Sequence, residues 1–100
     1  MTQLPAKTTV PVKLYVTTYC GYCKSAKALL QRKGVAYEEI DCTEDPETRL
    51  KLVERTGRRT VPQIFIADVP VGGYDDLAAL EKAGELDRVL SGELAPTSIA

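Results

Sequence analysis

One hundred residues with 44% apolar side chains are enough for a single domain with one modest core, and no uninterrupted apolar run approaches the eighteen or so residues that span a bilayer. Thirteen basic and fourteen acidic residues give a net charge of −1, so the chain has no global positive field to attract nucleic acid or anionic lipid. The sequence contains no histidine, which excludes His-ligated metal sites and catalytic pairs that use an imidazole base.

The N-terminal residues 1–11 are polar and rich in threonine, which predicts a flexible tail before the domain. They contain no apolar signal segment, and three cysteines are too few for a disulfide framework. The expected location is therefore the reducing environment of the cytoplasm. The domain itself is predicted for residues 12–91, with a second tail over 92–100.

Hydrophobic periodicity predicts strands and helices in the order β-α-β-α-β-β-α, followed by a short helical turn. β-branched and aromatic residues predict strands over 12–17, 35–42, 63–66 and 69–71, and Pro70 suggests that the last strand lies at a sheet edge. Residues at helical spacing are expected to face the core: Tyr22, Ala26, Leu29 and Leu30 in the first helix, Leu50 and Val53 in the second, Leu77 and Leu80 in the third, and Leu86, Val89 and Leu90 in the final turn.

This order of elements predicts an α/β fold. The first βαβ unit is expected to form a right-handed parallel crossover, and the last two strands an antiparallel hairpin, which gives a four-stranded mixed sheet with helices on its faces. A functional site is expected in the loop at the carboxyl end of the first strand.

The sequence Cys20-Gly21-Tyr22-Cys23 occupies that loop and the start of the first helix. A thiol at a helix N-terminus faces unpaired backbone N–H groups and the positive end of the helix dipole, which favours the reactive thiolate. Lys24 and Lys27 add positive charge, and two intervening residues let the cysteines form a reducible disulfide. The motif therefore predicts thiol–disulfide redox chemistry.

Two structural roles compete with redox chemistry at these cysteines. A structural zinc site needs four ligands, which three cysteines without histidine do not supply within one chain. A permanent structural disulfide is disfavoured by a reducing compartment and by the little loop entropy that so short a ring constrains.

Four segments carry a family resemblance: Thr18-Tyr19-Cys20-Gly21-Tyr22-Cys23, Lys33-Gly34-Val35, Gly57-Arg58-Arg59-Thr60-Val61-Pro62-Gln63-Ile64-Phe65-Ile66 and Gly72-Gly73-Tyr74-Asp75-Asp76-Leu77. Through them the chain resembles the glutaredoxins from about residue 12 to residue 91. The resemblance implies a thioredoxin-like fold and a glutathione-dependent oxidoreductase that reduces glutathione mixed disulfides and protein disulfides. Cys20 and Cys23 are then the catalytic residues.

The resemblance also implies a glutathione site. Val61-Pro62 is expected to be a cis peptide that turns the Val61 backbone toward the ligand, and Asp75 is expected to pair with the glutathione α-ammonium group. Arg59, ahead of Arg58, is the candidate for a ligand carboxylate. The alternative is that Gly72-Gly73 is only a turn and Asp75 only a helix cap. The implied glutathione-binding residues are Tyr22, Arg59, Thr60, Val61, Pro62, Gly73, Tyr74 and Asp75.

Three features depart from the usual family pattern. Gly21 stands where a proline is usual, and Thr17 stands where many members carry a lysine that helps the thiolate. The Cys-Gly-Tyr-Cys sequence also occurs in mycoredoxins, which use another small thiol, so the expectation of glutathione rests mainly on the Gly72-Gly73-Tyr74-Asp75-Asp76 segment.

The resemblance leaves an alternative function open: a [2Fe–2S] carrier in which Cys20 and one glutathione from each of two subunits hold the cluster. The chain is expected to be a monomer, and a dimer if it binds a cluster.

Cys42 closes the second predicted strand and is interpreted as a small, partly buried hydrophobic residue. A regulatory thiol is the alternative, and the charges of Asp41, Glu44 and Asp45 argue against it because they raise the pKa of the thiol. The acidic run from residue 38 to residue 47 is interpreted as a solvated edge.

Overall fold

The computed structural model describes residues 10–99, so residues 1–9 of the predicted N-terminal tail, and residue 100, lie outside it. The elements, all of them predicted, are β1 (Val12–Val16), α1 (Gly21–Arg32), β2 (Glu38–Asp41), α2 (Pro46–Thr56), β3 (Gln63–Ile66), β4 (Val69–Gly72), α3 (Tyr74–Lys82) and α4 (Leu86–Leu90).

The four strands form one mixed sheet in the order β2-β1-β3-β4. β1 runs parallel to β2 and antiparallel to β3, and β3 pairs with β4 in an antiparallel hairpin. The predicted α/β class and mixed sheet are therefore confirmed. β4 is an edge strand, as Pro70 suggested, because proline has no N–H to give to a further neighbour.

The main core lies on the face of the sheet that α1, α3 and α4 cover. Val12, Leu14 and Val16 alternate toward this face along β1 and are buried there with Ile64 and Ile66 of β3. A smaller cluster of Cys42, Leu52 and Phe65 lies on the other face, beneath α2. β3 is therefore buried on both faces, and this explains its continuous apolar sequence.

Two expected core positions are wrong. The side chain of Tyr22 is 65% exposed and that of Leu50 is 59% exposed. On α1 the buried positions include Cys23, which lies on the same helix face as Ala26 and Leu30. On α2 the buried residues are Leu52 and Thr56, whereas Val53 is half-buried.

Segments outside the predicted domain limits also contact it. The Val10 N–H donates to the Leu90 carbonyl at 2.9 Å, and the Ile99 N–H donates to the Pro70 carbonyl at 2.9 Å. Leu94 packs partly against the main core. The domain limits of 12 and 91 stay a prediction. Among residues 10–99, no helix has the length and apolar character that crossing a bilayer requires.

Candidate active site

The two cysteines of the motif lie where β1 ends and α1 begins, and they are joined in a disulfide. Cys20 is the N-cap residue of α1, with extended backbone angles of φ −150° and ψ 106°, and its Sγ accepts a hydrogen bond from the Cys23 N–H at 3.0 Å. Cys20 is half-buried, whereas Cys23 is only 1% exposed. An incoming sulfur can therefore reach Cys20 far more easily than Cys23.

The helix terminus itself supplies positive charge near Cys20. The first turn of α1 contains no acidic residue, so nothing in it opposes a negative charge on Cys20. The Lys27 ammonium is paired with Glu39 of β2 at 3.0 Å. This ion pair offsets the positive charge that the sequence suggested Lys27 would supply.

The loop that leads from β1 to Cys20 is anchored on the end of β2. The Thr18 N–H donates to the Thr43 hydroxyl at 2.7 Å, and the Asp41 carboxylate accepts from the Thr43 hydroxyl at 2.6 Å and from the Thr43 N–H at 2.9 Å. Hydrogen bonds from Thr43, supplemented by Thr18, hold the pKa of Asp41 below its usual value. The acidic stretch is thus more than a solvated edge, because Asp41 positions the redox loop.

A second loop, from residue 57 to residue 62, faces the cysteines. The Val61-Pro62 peptide bond is cis, as expected, and the Cys20 Sγ lies 3.7 Å from the Val61 carbonyl oxygen. The buried Gln63 side chain donates to the Arg58 carbonyl at 2.8 Å and also contacts the Thr56 hydroxyl. The Thr56 hydroxyl in turn accepts from the Arg58 N–H at 3.1 Å. These buried polar groups tie the loop to the ends of α2 and β3.

The start of α3 is organised by Asp76. Its Oδ2 accepts from the Gly73 N–H at 2.9 Å and from Arg58 Nη1 at 3.1 Å. The alternative that Asp75 is a helix cap is therefore wrong, because Gly73 is the N-cap residue of α3 and Asp76 accepts from its N–H group. Asp75 is exposed, and its carboxylate has no hydrogen bond or ion pair within residues 10–99.

These three segments enclose a groove of about 250 Å³ beside the disulfide. It contains seven of the eight residues predicted for glutathione, and the exception is Arg59, which lines a neighbouring depression. Sequence reasoning missed Asp76, which follows Asp75 in the first turn of α3. It also ranked Arg58 below Arg59, because adjacent residues in a loop carry no periodicity that shows which one faces the groove. The lining residues are Tyr22, Arg58, Thr60, Val61, Pro62, Gly73, Tyr74, Asp75 and Asp76.

Two tyrosines connect the cysteine helix to α3 across this groove. The rings of Tyr22 and Tyr74 are stacked, with centroids 6.2 Å apart and an angle of 23° between their planes. This contact explains why Tyr22 lies outside the core despite its helical spacing. Its ring packs along the groove instead.

Comparison with known proteins agrees with this architecture. The family model for glutaredoxins matches residues 12–71. The chain belongs to the glutaredoxin family. A glutaredoxin from Pseudomonas aeruginosa is 56% identical over 81 residues, which cover 81% of this chain and 96% of that protein. The crystal structure of a buckwheat glutaredoxin–glutathione complex is 32% identical, has a TM-score of 0.78 and covers 85% of this chain and 82% of that chain.

A third relative is the solved structure named "Metal Binding of Glutaredoxins". It is 51% identical, has a TM-score of 0.67 and covers 86% of this chain and 94% of that chain. The thioredoxin-like fold expected from the sequence is confirmed by these neighbours. As a glutaredoxin with a redox-active Cys20–Cys23 pair, the chain is a thiol–disulfide oxidoreductase.

The third cysteine has a different environment from the redox pair. Cys42 is completely buried, and its Sγ lies 3.3 Å from the Val16 carbonyl, to which the thiol donates. Burial raises the pKa of this thiol, and Asp41 and Asp45 add to the shift against the opposing effect of Arg49. The expected direction of the pKa shift is confirmed, but its leading cause is burial. Cys42 is a small core residue, as predicted.

Replacing Gly72 with alanine is expected to destabilise the protein. Gly72 has φ +115°, and a Cβ there would collide with the Asp76 carboxylate that caps α3 and pairs with Arg58. We expect Gly72→Ala to lower the free energy of unfolding by about 1–3 kcal/mol in urea titrations. Gly21→Ala is the control, because Gly21 has ordinary φ and nothing within 4 Å of a built Cβ. Equal urea midpoints for Gly72→Ala and the parent would contradict this account.

Proposed function

We propose that this glutaredoxin uses glutathione to reduce mixed disulfides between glutathione and cytoplasmic proteins, and also protein disulfides. The observation that carries the proposal is the position of the accessible Cys20 sulfur, 3.7 Å from the carbonyl of Val61, a residue that lines the groove. A tripeptide disulfide held in that groove would have its sulfur beside Cys20. The buckwheat relative, which was solved as a glutathione complex, supports glutathione as the occupant.

The reaction begins with the Cys20 thiolate. It attacks the glutathione sulfur of the mixed disulfide, so a bond forms between Cys20 and glutathione while the protein thiol leaves as a thiolate. A second glutathione thiolate then attacks the glutathione sulfur, which releases oxidised glutathione and restores the Cys20 thiolate. When a protein disulfide is the substrate, Cys20 attacks one of its sulfurs and the other leaves as a thiolate. Cys23 then attacks the Cys20 sulfur, which releases the second protein thiolate and forms the Cys20–Cys23 bond. Two glutathione molecules reduce this bond and leave as oxidised glutathione.

The protein contributes a stabilised thiolate and an oriented ligand. The Cys23 N–H, which reaches Cys20 Sγ at 3.0 Å, stabilises negative charge on that sulfur before attack and when it acts as the leaving group. The proposed ligand contacts are the Val61 backbone, the Asp75 carboxylate for the ammonium group, since it has no ion pair within residues 10–99, and Arg58, the arginine that lines the groove, for a carboxylate.

The two cysteines are expected to differ in their mutational effect. Cys20→Ser should abolish turnover of glutathione mixed disulfides, because it removes the accessible attacking sulfur. Cys23→Ser should keep a substantial part of the activity, since a second glutathione replaces the resolving step. The assay measures reduction of a glutathionylated peptide with glutathione as the reductant.

Cys42→Ser is the matched control for these variants. It removes a sulfur that is buried away from the groove, and turnover should stay close to that of the parent. Equal loss of activity in Cys20→Ser and Cys23→Ser would contradict the monothiol route. No turnover by the parent protein would refute the glutathione-dependent function itself.

Asp75→Asn tests the proposed ammonium contact. Because Asp75 is exposed, its ion pair is expected to contribute about 0.2–1 kcal/mol, so the Michaelis constant for a glutathionylated substrate should rise about 1.4- to fivefold with little change in kcat. Glu85→Gln, an exposed carboxylate outside the groove, is the control and should change neither constant. An unchanged Michaelis constant in Asp75→Asn would show that the carboxylate does not contact the ligand.

A second candidate function is binding of a [2Fe–2S] cluster, which is favoured by the relative solved as "Metal Binding of Glutaredoxins". Residues 10–99 contain no group of three or more Cys, His, Asp or Glu side chains that could hold a metal ion. Cys23 and Cys42 are buried, so each chain would supply only the Cys20 sulfur. Soft thiolates suit iron–sulfur clusters, and the remaining ligands would be glutathione sulfurs and the Cys20 of a second copy.

Gly21→Pro is expected to separate the two functions. Proline fits the first position of a helix, and the extended angles of Cys20 are compatible with a following proline, so the fold should persist. The fixed φ of proline should restrict the adjustment that lets two chains converge on one cluster, while disulfide exchange needs only one incoming sulfur. Anaerobic reconstitution with iron, sulfide and glutathione, followed by absorbance and gel filtration, measures how much cluster-bound dimer each variant forms. A coloured dimer in Gly21→Pro equal to that of the parent would contradict this role of Gly21.

A further inference from the structure

Helix α2 carries two separate stripes of apolar residues, and the fold uses only one of them. Leu52 and Thr56 point toward the sheet and are buried. Pro46, Leu50 and Val53 follow each other at four and three residues, so they form a second stripe on another face of the helix. Leu50 is 59% exposed. The core beneath α2 is complete without this second stripe, since it consists of Cys42, Leu52 and Phe65 with partial contributions from Tyr15 and Val61.

The exposed stripe forms one wall of a depression of about 340 Å³. We call this surface the Leu50 patch. Among residues 10–99 the exposed large hydrophobic side chains are Leu50 and two tyrosines of the redox motif and its approach, Tyr19 and Tyr22. The residues of the Leu50 patch are Pro46, Arg49, Leu50, Val53 and Arg59.

The charges around the Leu50 patch are unequally distributed. Neither Arg49 nor Arg59 has a carboxylate partner in the part of the chain that the structure describes, whereas the neighbouring Arg55 is paired with Asp68 and Arg58 with Asp76. The helical period places two carboxylates, Glu47 and Glu54, along the opposite edge of the stripe. The arginine edge therefore attracts anionic groups, and the glutamate edge repels them.

The arginine edge leads directly to the redox site. Arg59 precedes Val61 by two residues, a span of at most about 7 Å, and the Val61 carbonyl lies 3.7 Å from Cys20 Sγ. About three or four residues of extended chain would cover the distance from Arg59 to Cys20. Arg59 of the Leu50 patch stands in sequence between Arg58 and Thr60, which line the groove proposed for glutathione, so the two surfaces meet along the loop from residue 57 to residue 62.

We propose that the Leu50 patch is the docking surface for the polypeptide part of a glutathionylated protein substrate. The occupant is an extended segment with an apolar side chain that fills the depression beside Leu50, and with carboxylates that face Arg49 and Arg59, about three or four residues from the modified cysteine. This inference rests on the proposed function, since it assigns a partner to the same redox site. The groove recognises the glutathione portion, and the patch selects among the proteins that carry it.

Turnover of three substrates by matched variants tests the proposal. The substrates are a glutathionylated peptide with leucine and glutamates three and four residues from its cysteine, the same peptide with lysines in place of the glutamates, and the cysteine–glutathione disulfide. The variants are Leu50→Ser, at the exposed residue of the stripe, and Arg49→Gln, at its half-buried arginine edge, with Lys51→Gln as the control for loss of a positive charge on another face of the helix. Thermal melting establishes that each variant is folded.

We expect the parent to reduce the acidic peptide with a kcat/KM at least fivefold above that of the lysine peptide. Leu50→Ser should lower kcat/KM for the acidic peptide at least fivefold, and Arg49→Gln at least twofold, mainly through KM. Turnover of cysteine–glutathione should stay unchanged in both, and Lys51→Gln should behave as the parent with all three substrates. Higher ionic strength should reduce the preference for the acidic peptide.

Two results would overturn the docking proposal while leaving the proposed function intact: equal turnover of the acidic peptide by Leu50→Ser and the parent, or an equal loss with the peptide and with cysteine–glutathione. If the parent reduces neither the peptides nor cysteine–glutathione, the proposed function fails and the docking proposal fails with it. Amide chemical shifts give a readout without turnover. An acidic peptide with serine in place of cysteine should perturb Leu50 and Val53, and shifts confined to the groove would refute the assignment.

Discussion

The whole site depends on the hydrogen bond that starts α1, from the Cys23 N–H to the Cys20 sulfur. This bond makes the reactive residue the N-cap of the helix, so the sulfur receives the N–H group that the helix leaves unpaired. It also sets the helical phase, which turns Cys23 into the core at 1% exposure while Cys20 stays accessible. One local interaction therefore gives the accessible sulfur a hydrogen-bond donor and keeps the other sulfur buried.

Near this cap, some charged side chains form ion pairs, whereas others have no ion pair within residues 10–99. Asp76 is committed to structure, because it caps α3 through Gly73 and holds Arg58 across the groove. Asp75, its neighbour, has no partner in residues 10–99 and can meet a ligand cation. Arg58 and Arg59 differ in the same way, because Arg58 is paired with Asp76 and Arg59 has no ion pair in the described residues. Adjacent residues of the same type thus have opposite roles, which are set by the direction in which the backbone points each side chain.

The features that could be predicted from the sequence are those that depend on local patterns. The strands, the hairpin and the short α4 could be predicted because they follow from local sequence patterns that tertiary packing did not override. The redox chemistry could be predicted from Cys20-Gly21-Tyr22-Cys23 because this motif acts through a helix terminus. Contacts between distant segments carry no such pattern. The anchoring of Thr18 by Thr43 and Asp41, the cap by Asp76 and the buried Thr56–Gln63 pair join residues that only the folded chain brings together.

Leu50 was misplaced for a different physical reason. Its helical spacing with Val53 is real, but periodicity shows only that an apolar stripe exists and not what covers it. The sheet beneath α2 offers Phe65 and Cys42, and Leu52 with Thr56 is enough to cover them. Leu50 is left exposed as a result, and contact with a substrate polypeptide is the role that we propose for it. The arginine edge of the Leu50 patch gives that contact a direction toward Cys20.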